Sequence, residues 1–428
     1  MGKENKEINA TNYIKSNANA TIVRVGISTF STLVILPFIV KNIGIENYSY
    51  ISITSFLVSF SYVFDFGFCR SLVYLINGKG IDDRRRNEYI TTINIANSVI
   101  ILMIATVGII ALLCKFNILG DSIPSSDNYY MLVSICALVI MLLTIYDMYQ
   151  TSMLESFFLL NYSSYSVTIR IMSMNALYFV NLLTVNNLVA YVSTPVLATF
   201  ISTSYNWIII KKKIQWTFSR PSHEVIKIVL RQAFSFTKSG ILSSVNNILP
   251  RVVIIYLTNN LSFIGVLDII TKITSSLINL FSSISRPFLA LSRNNPQKIR
   301  SHFKKILVTY SSIGFSFWIG IFIFRQLLVD YFFNNVESIN NIDYLLVIYA
   351  TSSLLCLLAQ PFSLYIQGIG KNETLVKIIA GNIILFIISY SIIDSMDINI
   401  LMNLAITNVL VALNYFATLM ICSVNSKI

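Results

Sequence analysis

The sequence predicts an all-α integral membrane protein of about twelve transmembrane helices, in two six-helix bundles related by a parallel pseudo-two-fold repeat. Three observations carry that prediction. Hydrophobic residues make up 55% of the chain and charged residues 12%, with a mean hydropathy of +0.70, whereas a soluble domain carries roughly 25% charged residues. Apolar runs long enough to cross a bilayer, which takes ~20 helical residues, recur throughout the 428 residues. Two segments also match at a shift of 213 residues, almost half the chain, which brings position 35 onto position 248. Ile35-Leu36-Pro37-Phe38-Ile39-Val40 aligns with Ile248-Leu249-Pro250-Arg251-Val252-Val253, and Asn47-Tyr48-Ser49-Tyr50-Ile51 with Asn260-Leu261-Ser262-Phe263-Ile264.

The elements follow in order. Residues 1–18 are polar and hold Lys3, Lys6 and Lys15 without a small-residue cleavage site, so this segment is expected to remain attached. Spans are read over 19–41, 48–76, 89–114, 129–152, 164–184 and 188–210, forming a first bundle over 19–210. A basic linker, 211–232, leads to spans over 233–257, 262–288, 305–327, 343–368, 375–393 and 399–422. These form a second bundle over 233–422, followed by a tail, 423–428. The repeat superposes span one on span seven and span two on span eight. Six spans per half give both halves the same orientation, the arrangement in which substrate binds between the halves and rocking exposes it to each side in turn.

Alternating spans place 21 of the 31 Lys and Arg residues on the side of the N-terminus, and at most three (Lys41, Lys115 and Arg325) on the other. Cytoplasmic loops carry the excess of Lys and Arg, so both termini are expected in the cytoplasm. The opposite loops are short, the longest near 115–127 and 326–341, and cannot house an enzymatic domain. Gly368-Ile369-Gly370-Lys371 lacks the spacing of a phosphate loop and is read as a turn.

Several function classes are excluded. The net charge of +12 is carried by basic islands between apolar spans, which explains it by topology and leaves nucleic acid out. Only His223 and His302 are present, and the five cysteines form no CxxC pair, so no metal site and no cofactor are expected. The absence of a nucleotide motif argues against an ATP-driven pump.

Charges inside the spans carry the functional reading. There are seven cations, Arg24, Arg70, Arg170, Lys238, Arg251, Lys272 and Arg286, against three acids, Asp65, Asp147 and Asp268. A charge at the bilayer centre costs at least ~2.5–3.5 kcal/mol, so it lines a cavity, pairs, or does work. The interior is thus expected to be net positive, which suits transport of an anion. Arg24 lies about one and a half turns into span one. Arg251 follows Pro250, whose missing N–H often marks a bend facing a cavity. Asp268 and Lys272 are four residues apart on one helical face, either a self-neutralising pair or one that opens when an anion or proton arrives. Asp65 sits among aromatics in Val63-Phe64-Asp65-Phe66-Gly67-Phe68, as a structural pair or as a proton or cation relay. Arg70, Arg170, Lys238 and Arg286 lie near expected cytoplasmic span ends, where snorkelling or lipid-phosphate contact accounts for them. The substrate-binding candidates are Arg24, Arg251, Lys272 and Arg70, and the ion-coupling candidates are Asp65 and Asp268. Many of the 54 aromatic residues fall near span ends, as an interfacial belt does.

Across its whole length the chain resembles the O-antigen and polysaccharide flippases of the multidrug/oligosaccharidyl-lipid/polysaccharide (MOP) exporter superfamily. The residues carrying the likeness are Leu36 to Val40 followed by Gly44-Ile45-Glu46-Asn47-Tyr48, then Asp65-Phe66-Gly67-Phe68-Cys69-Arg70, then Gly265-Val266-Leu267-Asp268, and finally Gln360-Pro361 through Gln367-Gly368-Ile369-Gly370-Lys371. Tyr48-Ser49 departs from the family's usual Tyr-Gly, and Arg251 stands where relatives often carry an acid. The resemblance implies a flippase that moves undecaprenyl-pyrophosphate-linked oligosaccharide between leaflets, with that lipid, membrane lipids and other polysaccharide-assembly proteins as partners. Under that implication Arg24, Arg251 and Lys272 hold the pyrophosphate, and Asp65 or Asp268 couples to ion movement. A drug/cation antiporter of the same superfamily would call for an acid-dominated interior. A lipid II flippase differs only in its lipid-linked sugar. A membrane polymerase would need a larger outer loop.

Overall fold

The computed structural model describes residues 10–59, 61–78, 81–113, 127–184, 187–257, 261–285, 303–333, 341–396 and 399–425, with positions 289, 292, 293 and 297 between. Every regular element among the described residues is an α-helix. Nine of the described helices are long and apolar enough to cross a membrane.

Helix α1 (Ala10–Ser59) carries the first predicted span and most of the second in one run, with Pro37 inside it. The break between the two spans falls at Gly44, whose φ of 80° and ψ of 159° belong to no helix and are open to glycine at little steric cost. The second span is then interrupted again, a break the apolar pattern does not show: α2 (Ser61–Phe64) ends and α3 (Phe68–Ile76) begins across Asp65-Phe66-Gly67. Phe66 and Gly67 both take positive φ, at 46° and 70°. The Asp65 carboxylate accepts from the Cys69 N–H at 3.1 Å, covering an orphan donor of the new helix. Gly67 lies so close to α8 that an added Cβ would stand 2.5 Å from the Ala233 carbonyl oxygen and 2.7 Å from the Phe236 Cβ.

Helices α4 (Asp83–Leu113), α5 (Asp127–Ser156), α6 (Leu160–Thr184) and α7 (Leu188–Lys213) complete the first half. Helix α8 (His223–Leu257) begins well before the predicted span seven. Its start is fixed by Ser222, whose Oγ accepts from the Val225 N–H at 3.3 Å and donates to the buried Glu88 carboxylate at 3.0 Å. Glu88 belongs to α4, so the linker is tied down, and the Ser219 N–H adds a bond to Thr91 Oγ1 at 3.2 Å. The second half continues with α9 (Leu261–Ser285), α10 (Phe303–Phe333), α11 (Ile342–Gly368), α12 (Asn372–Asp394) and α13 (Ile400–Asn425). Helix α10 outruns its predicted end at 327 because Leu328 to Phe333 stays largely apolar. The Gly368–Lys371 segment is a turn: Gly370 takes φ 81°, and the Lys371 N–H reaches back to the Ile366 carbonyl at 3.0 Å, a glycine-terminated helix end.

Because successive helices alternate in direction, the turns at 157–159, 214–222 and 369–371 fall at one end of the bundle, its basic face, together with Arg84, Arg85, Lys211 to Lys213 and Lys371; Gly44, Asn187 and the turn at 395–396 fall at the other. One hydrophobic core runs through both halves toward that second face, including Tyr48, Tyr178, Ile264, Ile270 and Leu404. Toward the basic face the cores separate. Leu72, Ile90 and Leu154 pack with Val229 at the start of α8, while Phe362, Tyr365 and Leu419 pack within the second half. A small cluster of Val73, Leu289, Phe158 and Leu364 bridges the halves there.

Candidate functional site

Three of the charges singled out in the sequence meet where the halves pack together. Lys272 Nζ stands 2.7 Å from Asp268 Oδ2, the i,i+4 pair that the spacing predicts. Arg251 of α8 reaches the other oxygen, Asp268 Oδ1, at 3.6 Å. A fourth member was hidden in the sequence. The Tyr48 hydroxyl of α1 donates to Asp268 Oδ2 at 2.6 Å and accepts from Lys272 Nζ at 2.7 Å. Tyr48 is buried, and Lys272 also lies 5.2 Å from the centre of its ring. Tyr178 of α6 and Tyr349 of α11 flank the group, the first within electrostatic reach of Asp268 and the second of Arg251.

Accessibility divides the cluster by sign. The Asp268 side chain is 3% exposed, against 22% for Arg251 and 37% for Lys272. The acid lies behind and the two cations in front. At 3.6 Å the Arg251 contact is an ion pair longer than a hydrogen bond, so its five-donor guanidinium keeps capacity for a further acceptor. Two cations share one carboxylate, which leaves the group net positive by one.

The other candidates are elsewhere. Arg24 is buried on α1, 20 residues before Gly44. At ~1.5 Å of rise per residue that is ~30 Å of helix, while Tyr48 lies one turn beyond the break. In this structure Arg24 thus stands apart from the Arg251–Asp268–Lys272 group. Asp65 is buried and caps α3. Arg70 is exposed on the basic face and donates to Gln367 Oε1 at 3.4 Å, a bond between the halves. Arg170, expected to snorkel, instead pairs with the buried Asp147 at 3.4 Å, and Asn206 Nδ2 donates to the same carboxylate at 3.0 Å. Lys238 is exposed, with its ammonium 4.8 Å from the Phe234 ring centre. Arg286 lies outside the described residues.

The model of the polysaccharide biosynthesis protein family matches residues 14–290, well over half of the chain. The chain belongs to this family. No curated protein matches the sequence. Among solved structures, it is similar to the inward-facing conformation of a multidrug resistance MATE family transporter of the MOP superfamily, at 15% identity and a TM-score of 0.67, covering 94% of this chain and 98% of that one. It is similar to an outward-facing conformation of such a transporter, at 14% identity and a TM-score of 0.71, covering 98% and 97%. It also resembles a MOP superfamily transporter from Pyrococcus furiosus Vc1, described as having a binding pocket of reverse polarity that suggests a different function, at 14% identity, a TM-score of 0.71 and coverage of 97% and 96%. These likenesses show that this polysaccharide biosynthesis family member shares the helical fold of those transporters.

Tyr48 could not have been found from composition, because tyrosines near span ends normally form the interfacial belt. The signal that could have exposed it is the repeat: Tyr48 falls opposite Leu261, so a hydroxyl appears on one side of the pseudo-axis only.

Proposed function

We propose that this family member is a flippase that carries the pyrophosphate-linked headgroup of an undecaprenyl-linked oligosaccharide, of the O-antigen repeat-unit type, from the cytoplasmic to the periplasmic leaflet of a bacterial inner membrane. The observation that carries the reading is the Arg251–Asp268–Lys272 cluster where the halves meet, with accessible cations and a buried acid. Arginine suits two-point contact with phosphate oxygens, and lysine adds a mobile point charge. With no ligand bound, Asp268 neutralises part of that charge and keeps the cations from standing unpaired in a low-dielectric interior. An arriving pyrophosphate competes with Asp268 for both cations, while the lipid tail stays in the bilayer. The membership in the polysaccharide biosynthesis family and the MOP fold support transport of such a substrate between two rocking halves. The basic face is then cytoplasmic and both termini lie there.

The test is deletion of the gene followed by complementation. The expected outcome is that the deletion abolishes surface polysaccharide and accumulates lipid-linked repeat units, that wild type restores export, and that Arg251→Ala with Lys272→Ala does not at equal protein abundance. Full export by the double variant would overturn the assignment. Accumulation of lipid II instead would assign the cluster to that substrate.

A further inference from the structure

We infer that Tyr48 is the positioning residue that links anion occupancy to closure of the seam between the halves on the face opposite the basic one. This inference rests on the anion reading above. Arg251, Asp268 and Lys272 all come from α8 and α9, so the charges belong to the second half alone. The first half enters the cluster through the Tyr48 hydroxyl, which spends its single donor on Asp268 and an acceptor place on Lys272. The seam around it is tight. A Cβ added to Gly265 of α9 would stand 2.8 Å from Ser49 Oγ and 3.1 Å from the Ile45 carbonyl oxygen of α1. Ser49 is 0% exposed.

While the seam is closed, Tyr48 and Asp268 together occupy the Lys272 ammonium. These two partners take two of its three donors, so a phosphate oxygen meets a single free N–H while the seam is closed and a second one once α1 has withdrawn, and the anion then binds more tightly. Linkage makes the effect mutual: what binds the open seam better also opens it. A charged phosphate oxygen is a stronger acceptor than a neutral phenol, which sets the direction. Tyr48 thus acts through Lys272 and need not touch the substrate.

The test uses the full-length protein in lipid nanodiscs, carrying Ser49→Cys as its one cysteine, and reads the rate of labelling by a water-soluble thiol reagent with and without undecaprenyl pyrophosphate. A parallel protein retains only Cys136, buried in the same core on α5, to report general loosening. Labelling at position 49 is expected to be slow in the otherwise wild-type protein and to rise with the lipid. In Tyr48→Phe it is expected to be about tenfold faster without lipid, as the loss of two hydrogen bonds predicts, and to respond little to it, with Cys136 unchanged. Lipid affinity in Tyr48→Phe should rise, because the competitor for Lys272 is gone. Slow, lipid-responsive labelling in Tyr48→Phe would overturn the role of Tyr48 while leaving the anion site intact, provided that Arg251→Ala still weakens lipid binding. Faster labelling at both positions would also overturn it, since Tyr48 would then support packing in general. If undecaprenyl pyrophosphate fails to bind the wild-type protein, the anion reading and this inference fall together.

Discussion

Removing the Asp268 carboxylate leaves Arg251 and Lys272 without the counter-ion they share. Breaking a fully buried ion pair from one side typically costs ~3–5 kcal/mol; the cost here falls below that, because Arg251 and Lys272 are partly accessible to water. Asp268→Ala is therefore expected to lower the thermal unfolding midpoint in detergent clearly, and Asp268→Asn to lower it less, since the amide oxygen still accepts from Tyr48 and Lys272. An unchanged midpoint in Asp268→Ala would mean that water already solvates the cations. By contrast Arg251→Ala leaves Lys272 to neutralise Asp268, and its cost should fall on substrate binding. A hydrogen bond to a charged group is worth ~1.5–3 kcal/mol, which corresponds to about a 10- to 150-fold loss of affinity. At this scale the sequence was partly legible. Asp268 and Lys272 announce themselves by an i,i+4 spacing in an apolar run, and Arg251 by following Pro250. Tyr48 did not, because a hydroxyl's partner lies 220 residues away in the chain and no local pattern encodes it.

Among the elements, two close approaches set how the helices sit. Gly265 lets α9 meet α1, and Gly67 lets the α2–α3 break meet α8. Overpacking a tight contact costs ~1–3 kcal/mol, so Gly265→Leu is expected to destabilise by that amount and to force the seam apart. Gly67→Ala adds the strain of φ 70° on an alanine to a Cβ 2.5 Å from backbone, and should be the more damaging of the two. Thermal unfolding of the two single variants, compared with an alanine placed at the open Gly381, checks both. Helix α8 also touches both halves, Val225, Val229 and Ala233 packing with α3 and α4 while Ser235 accepts from Asn372 Nδ2 of α12 at 3.3 Å. The spans themselves were legible because bilayer thickness fixes their length. The break at Asp65–Gly67 was not, since apolar residues flank it and the interruption comes from two positive φ values and a carboxylate cap rather than from polarity.

For the whole molecule, the repeat at an offset of 213 pointed to two like-oriented halves, and the charge asymmetry of the loops predicts which face is cytoplasmic. The tie between the linker and α4 was not, because it depends on Glu88 finding Ser222 across 134 residues. Orientation can be checked in intact cells. A cysteine at the exposed Arg85 should resist an impermeant reagent added outside, and one at the exposed Glu46 should react with it; the reverse pattern would invert the proposed direction of transport. The most direct test of the central claim is equilibrium binding of undecaprenyl pyrophosphate to the purified protein in nanodiscs, comparing wild type with Arg251→Ala/Lys272→Ala. The account predicts saturable binding by wild type and at least about a tenfold weaker affinity in the double variant. Equal affinity in the two proteins would contradict it.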